Sequence, residues 1–204
     1  MGSGSYLEKL GLFEVENFLD REFCGRLVKY IENAEQLQTP LAEYRGEKKL
    51  DESANTRPKV VMEMPAVYPH EIRAKLADLI PAAEKYFNIG VASVQDPYAI
   101  IYDQGRFTAK HADAAHSEGI DKSTSEKKVT TIIFLNDESA EPLDGGYTGG
   151  KLTFHGLIKS EIFEKFGYPI TGSTGKLIAF PTHYLHEVTP VESGTRYVVS
   201  SGYY

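Results

Sequence analysis

The chain has 204 residues, of which 41% are hydrophobic and 25% charged, so it can form one sizeable core but is short for two. Its formal net charge of −7, with dispersed basic residues, disfavours a nucleic-acid partner. No stretch approaches the roughly 18 to 20 consecutive apolar residues that a membrane span needs, and the single cysteine excludes an internal disulfide. We therefore expect a soluble, cytoplasmic protein with one domain over 6–204, preceded by a cloning remnant, MGSGS, at 1–5.

The front of the chain has the periodicity of an amphipathic helix. Apolar residues recur at four-residue spacing at Phe23, Leu27 and Ile31. Asp20 precedes them and is a suitable N-cap, because its carboxylate can accept a hydrogen bond from the first turn. These features predict a helix over 20–35.

A second periodic segment follows at 72–87. It is interrupted by Pro81, which lacks a backbone N–H and should kink the helix or begin a new one. Between the two helical segments we predict a polar loop at 43–57 and then a strand at 59–63.

After Pro97 the sequence changes to short runs of β-branched and aromatic residues. The predicted strands are, in chain order, 98–102, 129–135, 151–154, 176–180, 187–191 and 196–204. Many short strands without helices regularly between them favour an antiparallel sandwich or barrel of jelly-roll type, with helices packed on one side. The predicted fold class is α+β, mainly β, with helical support over 6–96 and the jelly-roll core over 97–204.

Two histidines and one carboxylate are candidate metal ligands. His111 and Asp113 are two positions apart, so their side chains point the same way in an extended chain. An isolated H-x-D motif matches by chance and is more often a polar pair at a strand end. His186, far along the chain, completes the ligand set that binds non-haem Fe(II) on one face and leaves the other coordination positions free.

Four motifs in this half of the chain resemble those of the Fe(II)- and 2-oxoglutarate-dependent dioxygenases, in particular the prolyl 4-hydroxylase-like family. They are YDQGRFTAKHAD at 102–113, IIFLND at 132–137, GGKLTF at 149–154 and GKLIAFPTHYLHEVTPVESGTRYVV at 175–199. FLDREFCGRLVKYI at 18–31 is similar to the family's first helix. Several motifs in the family's order are much harder to obtain by chance than any one of them. The resemblance implies a double-stranded β-helix, the cupin-like form of the jelly roll.

The resemblance also implies the identity of the main site residues. His111, Asp113 and His186 match the family's iron ligands, which makes them the catalytic centre. Arg196 matches the cation that pairs with the distal carboxylate of 2-oxoglutarate. Arginine suits this role because its planar fork can hold a carboxylate through two parallel hydrogen bonds.

Further cosubstrate contacts are implied on two neighbouring strands. Tyr102 matches a family position that hydrogen-bonds the cosubstrate, and Thr131 is a second candidate. The alternation of side chains along a strand leaves Thr130 almost as plausible as Thr131. The implied cofactors are Fe(II), 2-oxoglutarate as cosubstrate and dioxygen, with ascorbate as a candidate reductant.

The sequence departs from the family pattern near the substrate. Prolyl hydroxylases often have a second tyrosine three residues before the first iron ligand, where this chain has Thr108. The chain also has no tryptophan, so an aromatic wall provided by Trp in some relatives must be absent or formed by tyrosine. These departures leave the identity of the substrate open.

Two other histidines are rivals for the third ligand position. His116 lies in a polar loop, and we interpret it as a solvated residue. His183 is three residues before His186, but the resemblance assigns the ligand to the position just before the predicted strand at 187–191. We expect the polar segments 43–57 and 114–128 to border the site and to act as lids or to be surface loops without a role.

Several substrates are compatible with this chemistry. The first expectation is a prolyl residue in a peptide or protein, and the alternative is a free amino acid or other small metabolite. A nucleic-acid demethylase of the same superfamily is disfavoured, because such enzymes carry a second arginine where this chain has Gly202. A non-catalytic metal-binding jelly-roll module is a third class. The oligomeric state is not predicted, and no membrane partner is expected.

Overall fold

The helices lie mainly in the N-terminal half of the chain. The structure is a computed structural model that describes residues 6–40, 57–113 and 127–204. Within these residues the helices are α1 (Tyr6–Lys9), α2 (Arg21–Asn33), a 3-10 turn at Glu35–Leu37, α3 (Val67–Asp78), α4 (Ile80–Phe87) and α5 (Glu161–Phe166). In this described part of the chain, no helix has the length and apolar character that a membrane crossing requires.

Helix α2 confirms the first predicted helix. The carboxylate of Asp20 accepts a hydrogen bond from the backbone N–H of Phe23 at 2.7 Å, which satisfies one of the free donors of the first turn. The apolar stripe of Phe23, Leu27 and Ile31 is buried. The helix is therefore held by its N-cap and by the core beneath it.

Pro81 begins a new helix. Helix α3 ends at Asp78, and α4 starts at Ile80 with the proline in its first turn, where its missing N–H leaves no hydrogen bond unmade. The predicted loop 43–57 lies outside the described residues except for Arg57, and the predicted strand at 59–63 is confirmed as Lys59–Val61.

The described strands are arranged in three antiparallel sheets. In chain order they are β1 (Phe13–Val15), β2 (Thr39–Pro40), β3 (Lys59–Val61), β4 (Tyr98–Tyr102), β5 (Thr108–His111), β6 (Val129–Phe134), β7 (Tyr147–Gly149), β8 (Leu152–Phe154), β9 (Tyr168–Ile170), β10 (Leu177–Pro181), β11 (His186–Val188), β12 (Val191–Gly194) and β13 (Arg196–Tyr203). The main sheet has the order β1-β10-β6-β13-β4-β3-β2. A minor sheet has the order β5-β11-β8-β9, and β12 pairs with β7.

Side chains of the main sheet alternate between two cores. In β4, Ala99 and Ile101 join the core formed with the helices, whereas Ile100 and Tyr102 join the core that contains residues of the minor sheet. Helices α2, α3 and α4 therefore cover one face of the main sheet, and the minor sheet faces the other. This arrangement confirms the predicted jelly-roll fold with helices packed on one side.

The predicted strand at 187–191 is wrong as a single strand. Its first part belongs to β11, in the minor sheet, and its last residue begins β12, which pairs with β7. Thr189 and Pro190 separate the two strands. Proline has no N–H for a ladder hydrogen bond, which is consistent with the break at this position.

Replacing Asp20 tests the contribution of the α2 cap. Asp20→Ala removes the acceptor for Phe23 N–H and should lower the free energy of unfolding by about 1 kcal/mol, measured by urea denaturation. Asp20→Asn keeps a side-chain oxygen acceptor and should retain most of the stability. Equal loss in both variants would show that the carboxylate charge, rather than the cap, stabilises the helix.

Candidate metal centre

The two histidines of the predicted ligand set lie on adjacent strands of the minor sheet. His111 ends β5 and His186 begins β11, and the two residues are direct partners in the antiparallel ladder. Their ring centroids are 4.3 Å apart. The ring of Phe180, 4.8 Å from that of His186, packs against it from the interior. Strand pairing therefore brings together two residues that are distant in sequence.

Asp113 completes the cluster from just beyond the end of β5. One side-chain ligand atom from each of Asp113, His111 and His186 lies within 4.8 Å of the other two. Oδ1 of Asp113 is 3.4 Å from Nε2 of His111 and 4.0 Å from Nε2 of His186. Asp113 follows the strand rather than continuing it, but its carboxylate still points toward the two rings.

Both imidazole rings are oriented by their second nitrogen. Nδ1–H of His111 donates to the carbonyl of Ala109, and Nδ1–H of His186 donates to the carbonyl of Tyr184, both at 2.9 Å. These hydrogen bonds leave each Nε2 with its lone pair directed at the cluster. Such backbone contacts fix the tautomer and the orientation of a metal-binding histidine.

The second oxygen of Asp113 is held by the neighbouring strand. Oδ2 accepts a hydrogen bond from the hydroxyl of Thr130 and lies 3.8 Å from Nζ of Lys127. Burial by itself raises the pKa of Asp113, but contact with His111 and the charge of Lys127 outweigh it, so the pKa is well below its usual value. The carboxylate is therefore charged at neutral pH.

His186 is also in the form that a metal ion requires. Its burial lowers the pKa of the imidazole, although the nearby Asp113 charge acts in the opposite direction. The cluster thus offers two imidazole nitrogens and one carboxylate oxygen. This donor set fits non-haem Fe(II), which two histidines and one carboxylate bind on one face.

Arg196 is a buried cation in the same interior core as Tyr102 and Phe134. It is the first residue of β13, pairs with Tyr102 of β4 and is 1% exposed. Its guanidinium carbon lies 4.9 Å from the ring centroid of Tyr102 and 5.2 Å from that of Phe134. Nε and Nη1 have no hydrogen-bond partner, and no carboxylate of the described residues forms an ion pair with this side chain. A buried charge without a partner is costly, so the site fits an anionic ligand.

Tyr102 and Thr131, the two further residues predicted to contact the cosubstrate, differ in their location. Tyr102 is buried on the interior face, and its hydroxyl shares a 2.9 Å hydrogen bond with that of Thr108. Thr131 lies on the opposite face of β6, which it shares with Val129 and Ile133 of the helix-side core. Thr131 is thus on the face away from Tyr102, and a cosubstrate contact at Thr131 stays a prediction. The alternative, Thr130, faces the interior and contacts Asp113.

Sequence reasoning missed the role of Lys127. It lies at the end of the segment 114–128, whose residues 114–126, including His116, are outside the described part of the chain. The sequence feature that could have indicated this role is the position of Lys127, two residues before the predicted strand 129–135. A lysine at this strand entrance can reach the carboxylate of Asp113.

A cavity of about 620 Å³ lies beside this lysine. It is lined by Phe87, Ile89, Lys127, Lys128, Val129, Pro181, Thr182 and His183. The lining combines apolar walls with three basic side chains, although the chain as a whole is acidic. His183 is exposed and lines this cavity, and it does not belong to the metal-ligand cluster.

Solved structures of low sequence identity share this fold. A prolyl-4-hydroxylase from Pseudomonas putida has a TM-score of 0.69 and 18% identity, over 97% of this chain and 94% of that one. A prolyl hydroxylase from Trichoplax adhaerens, in complex with a hypoxia inducible factor oxygen degradation domain peptide fragment, has a TM-score of 0.65 and 17% identity, over 97% of this chain and 85% of that one. The viral collagen prolyl hydroxylase of Paramecium Bursaria Chlorella virus-1, in its 2OG complex, has a TM-score of 0.60 and 17% identity, over 94% of each chain.

The family comparison covers the site itself. No curated protein matches the chain. The family model described as the 2OG-Fe(II) oxygenase superfamily matches residues 98–204, which is more than half of the chain and includes every residue of the metal-ligand cluster and Arg196. The chain therefore belongs to the 2OG-Fe(II) oxygenase superfamily and is a 2-oxoglutarate-dependent dioxygenase that uses Fe(II), 2-oxoglutarate and dioxygen.

Proposed function

We propose that this dioxygenase hydroxylates a prolyl residue in a peptide or protein, with His111, Asp113 and His186 as its iron ligands. The observation that carries the proposal is the convergence of three ligand atoms inside a jelly roll that also buries an unpaired arginine. When bound, Fe(II) with 2-oxoglutarate and dioxygen supplies the oxidising power to hydroxylate an unactivated C–H bond, and 2-oxoglutarate is converted to succinate and carbon dioxide.

The protein's own residues provide orientation. In the proposed site, Arg196 holds the distal carboxylate of 2-oxoglutarate, and its unpartnered Nε and Nη1 are the donors available for this contact. Thr130 and Lys127 engage Oδ2 of Asp113, so that Oδ1 faces the two histidines. These contacts fix the ligands before the ion binds, which lowers the cost of assembling the centre.

Two observations support a prolyl substrate. The three similar structures are all prolyl hydroxylases, and their likeness extends over at least 94% of this chain. One of them is in complex with a peptide fragment.

Thr108, which stands where prolyl hydroxylases often have a tyrosine, also bears on the identity of the substrate. Its hydroxyl is engaged with that of Tyr102, so this position contributes a short polar side chain next to the cosubstrate contact. A free amino acid or another small metabolite is therefore kept as the alternative substrate class, and a substrate assay distinguishes the two.

Metal binding should depend on His186 and not on His183. His186→Ala removes one of three ligands and should abolish stoichiometric Fe(II) binding, measured by anaerobic calorimetry. His183→Ala is the matched control, because this exposed histidine lies only three residues away and outside the cluster. Loss of the metal in His183→Ala with retention in His186→Ala would contradict the proposed ligand set.

The affinity for 2-oxoglutarate should depend on Arg196. Arg196→Met removes one partner of a buried charge pair and should weaken 2-oxoglutarate binding to the Fe(II)-loaded protein by about 2 to 5 kcal/mol, measured by anaerobic calorimetry. The control is Arg73→Met, which removes an arginine that forms a surface ion pair with Asp96. Unchanged affinity in Arg196→Met would mean that another residue holds the distal carboxylate.

Succinate formation should be coupled to proline-containing peptides. We expect turnover, measured as succinate release with Fe(II) and 2-oxoglutarate, to rise with such peptides and to be lost in Asp113→Ala. If only free amino acids stimulate succinate release, the substrate is a small molecule rather than a peptide.

A further inference from the structure

The hydroxyl of Tyr147 is buried without a partner. Tyr147 begins β7, its side chain is 1% exposed, and its hydroxyl has no hydrogen-bond partner. Buried tyrosine hydroxyls usually find a partner, because an unsatisfied one loses its hydrogen bonds to water without compensation. The unpartnered hydroxyl of Tyr147 therefore indicates a hydrogen-bond donor for a ligand.

Tyr147 lies beside Arg196. A methyl group built on Gly150 would come within 3.2 Å of Cδ of Arg196 and 3.4 Å of Cδ2 of Tyr147, so the two side chains flank the same glycine. A methyl group on Gly172 would lie 2.2 Å from the Tyr147 hydroxyl and 2.7 Å from Cδ1 of Phe134. The hydroxyl thus reaches the ring that the Arg196 guanidinium overlies.

Glu138, the carboxylate whose charge acts most on Tyr147, is already engaged elsewhere. Glu138 pairs with Nζ of Lys151 and accepts a hydrogen bond from the backbone N–H of Gly172 at 3.1 Å. The pKa of Tyr147 is raised to about 12, first by burial, although the charge of Arg196 and its contact with the hydroxyl act to lower it. At neutral pH the hydroxyl is therefore a neutral O–H donor next to an unpaired cation, a combination that suits a carboxylate ligand.

We propose that the Tyr147 hydroxyl donates a hydrogen bond to the distal carboxylate of 2-oxoglutarate, alongside Arg196. This inference rests on the proposed role of Arg196 as the cosubstrate anchor. It makes Tyr147 a binding residue that selects a dicarboxylate. A 2-oxo acid without the second carboxylate has no acceptor for the hydrogen bond that the Tyr147 hydroxyl donates. It also explains why positions 150 and 172 are glycines, since larger residues would displace the Arg196 and Tyr147 side chains.

Removal of a single oxygen atom tests the proposal. Tyr147→Phe should bind 2-oxoglutarate on the order of ten- to a hundredfold more weakly, as measured by anaerobic calorimetry on the Fe(II)-loaded protein. Its affinity for oxalate, which can chelate the iron but has no distal carboxylate, should be unchanged. The melting temperature without ligands should be equal to or higher than that of the wild type, because the lost hydroxyl had no partner.

Tyr203→Phe is the matched control. The Tyr203 hydroxyl is also buried, but it donates to the carbonyl of Leu76 at 2.9 Å on the helix side of the main sheet. Its removal should lower the melting temperature and leave the affinity for 2-oxoglutarate unchanged. The two tyrosines are thus expected to give opposite results in both measurements.

The variants also separate this inference from the proposed function. If Tyr147→Phe binds 2-oxoglutarate as tightly as the wild type while Arg196→Met does not, the role of Tyr147 is wrong and the anchoring role of Arg196 stands. If neither variant weakens binding, both assignments are wrong. If Tyr147→Phe weakens the binding of oxalate and of 2-oxoglutarate equally, the inference is also overturned. The substitution would then have changed chelation at the metal rather than contact with the distal carboxylate.

Discussion

The site is organised around a positive charge that the fold buries without neutralising it. Arg196 is 1% exposed, lies between the rings of Tyr102 and Phe134, and keeps Nε and Nη1 free of hydrogen bonds. Such a charge lowers the stability of the empty protein, since desolvation is not offset by a counterion. In the proposed site, binding of a carboxylate removes this penalty, so part of the cosubstrate's affinity would be built into the fold before it arrives. We propose that the unpartnered hydroxyl of Tyr147 contributes in the same way.

The strand pairing explains how the proposed anchor and the proposed metal ligands come to share one interior. The main sheet supplies Arg196 on β13 and Thr130 on β6, whose side chains point away from the helices. The minor sheet supplies His111 and His186 as direct ladder partners. Because α2, α3 and α4 cover the opposite face of the main sheet, they stabilise the scaffold from outside this interior. Rigid strands on both sides of the interior hold the ligands in position, which a catalytic centre requires.

Local sequence signals predicted the long elements and the three residues that cluster in the fold, but not the features that depend on the assembled sheets. The roles of these residues and of Arg196 remain predictions. Periodicity and a cap predicted α2, and Pro81 predicted the break between α3 and α4. Strands of three or four residues such as β5, β7 and β9 are too short for a clear pattern, and Pro190 moves the chain from one sheet to another within a single predicted strand. The choice between Thr130 and Thr131 requires knowing which face of β6 is interior. Tyr147 could not be assigned, because only the fold brings it beside Arg196. The cytoplasmic location and the single domain over 6–204 remain predictions.

The most direct test of the buried anchor and the one-sided metal site is a crystal structure of the protein with Mn(II) and 2-oxoglutarate under argon. One ion should contact Nε2 of His111, Nε2 of His186 and Oδ1 of Asp113, with the distal carboxylate of 2-oxoglutarate against Nε and Nη1 of Arg196. An ion bound elsewhere, or a cosubstrate whose distal carboxylate points away from Arg196, would contradict it.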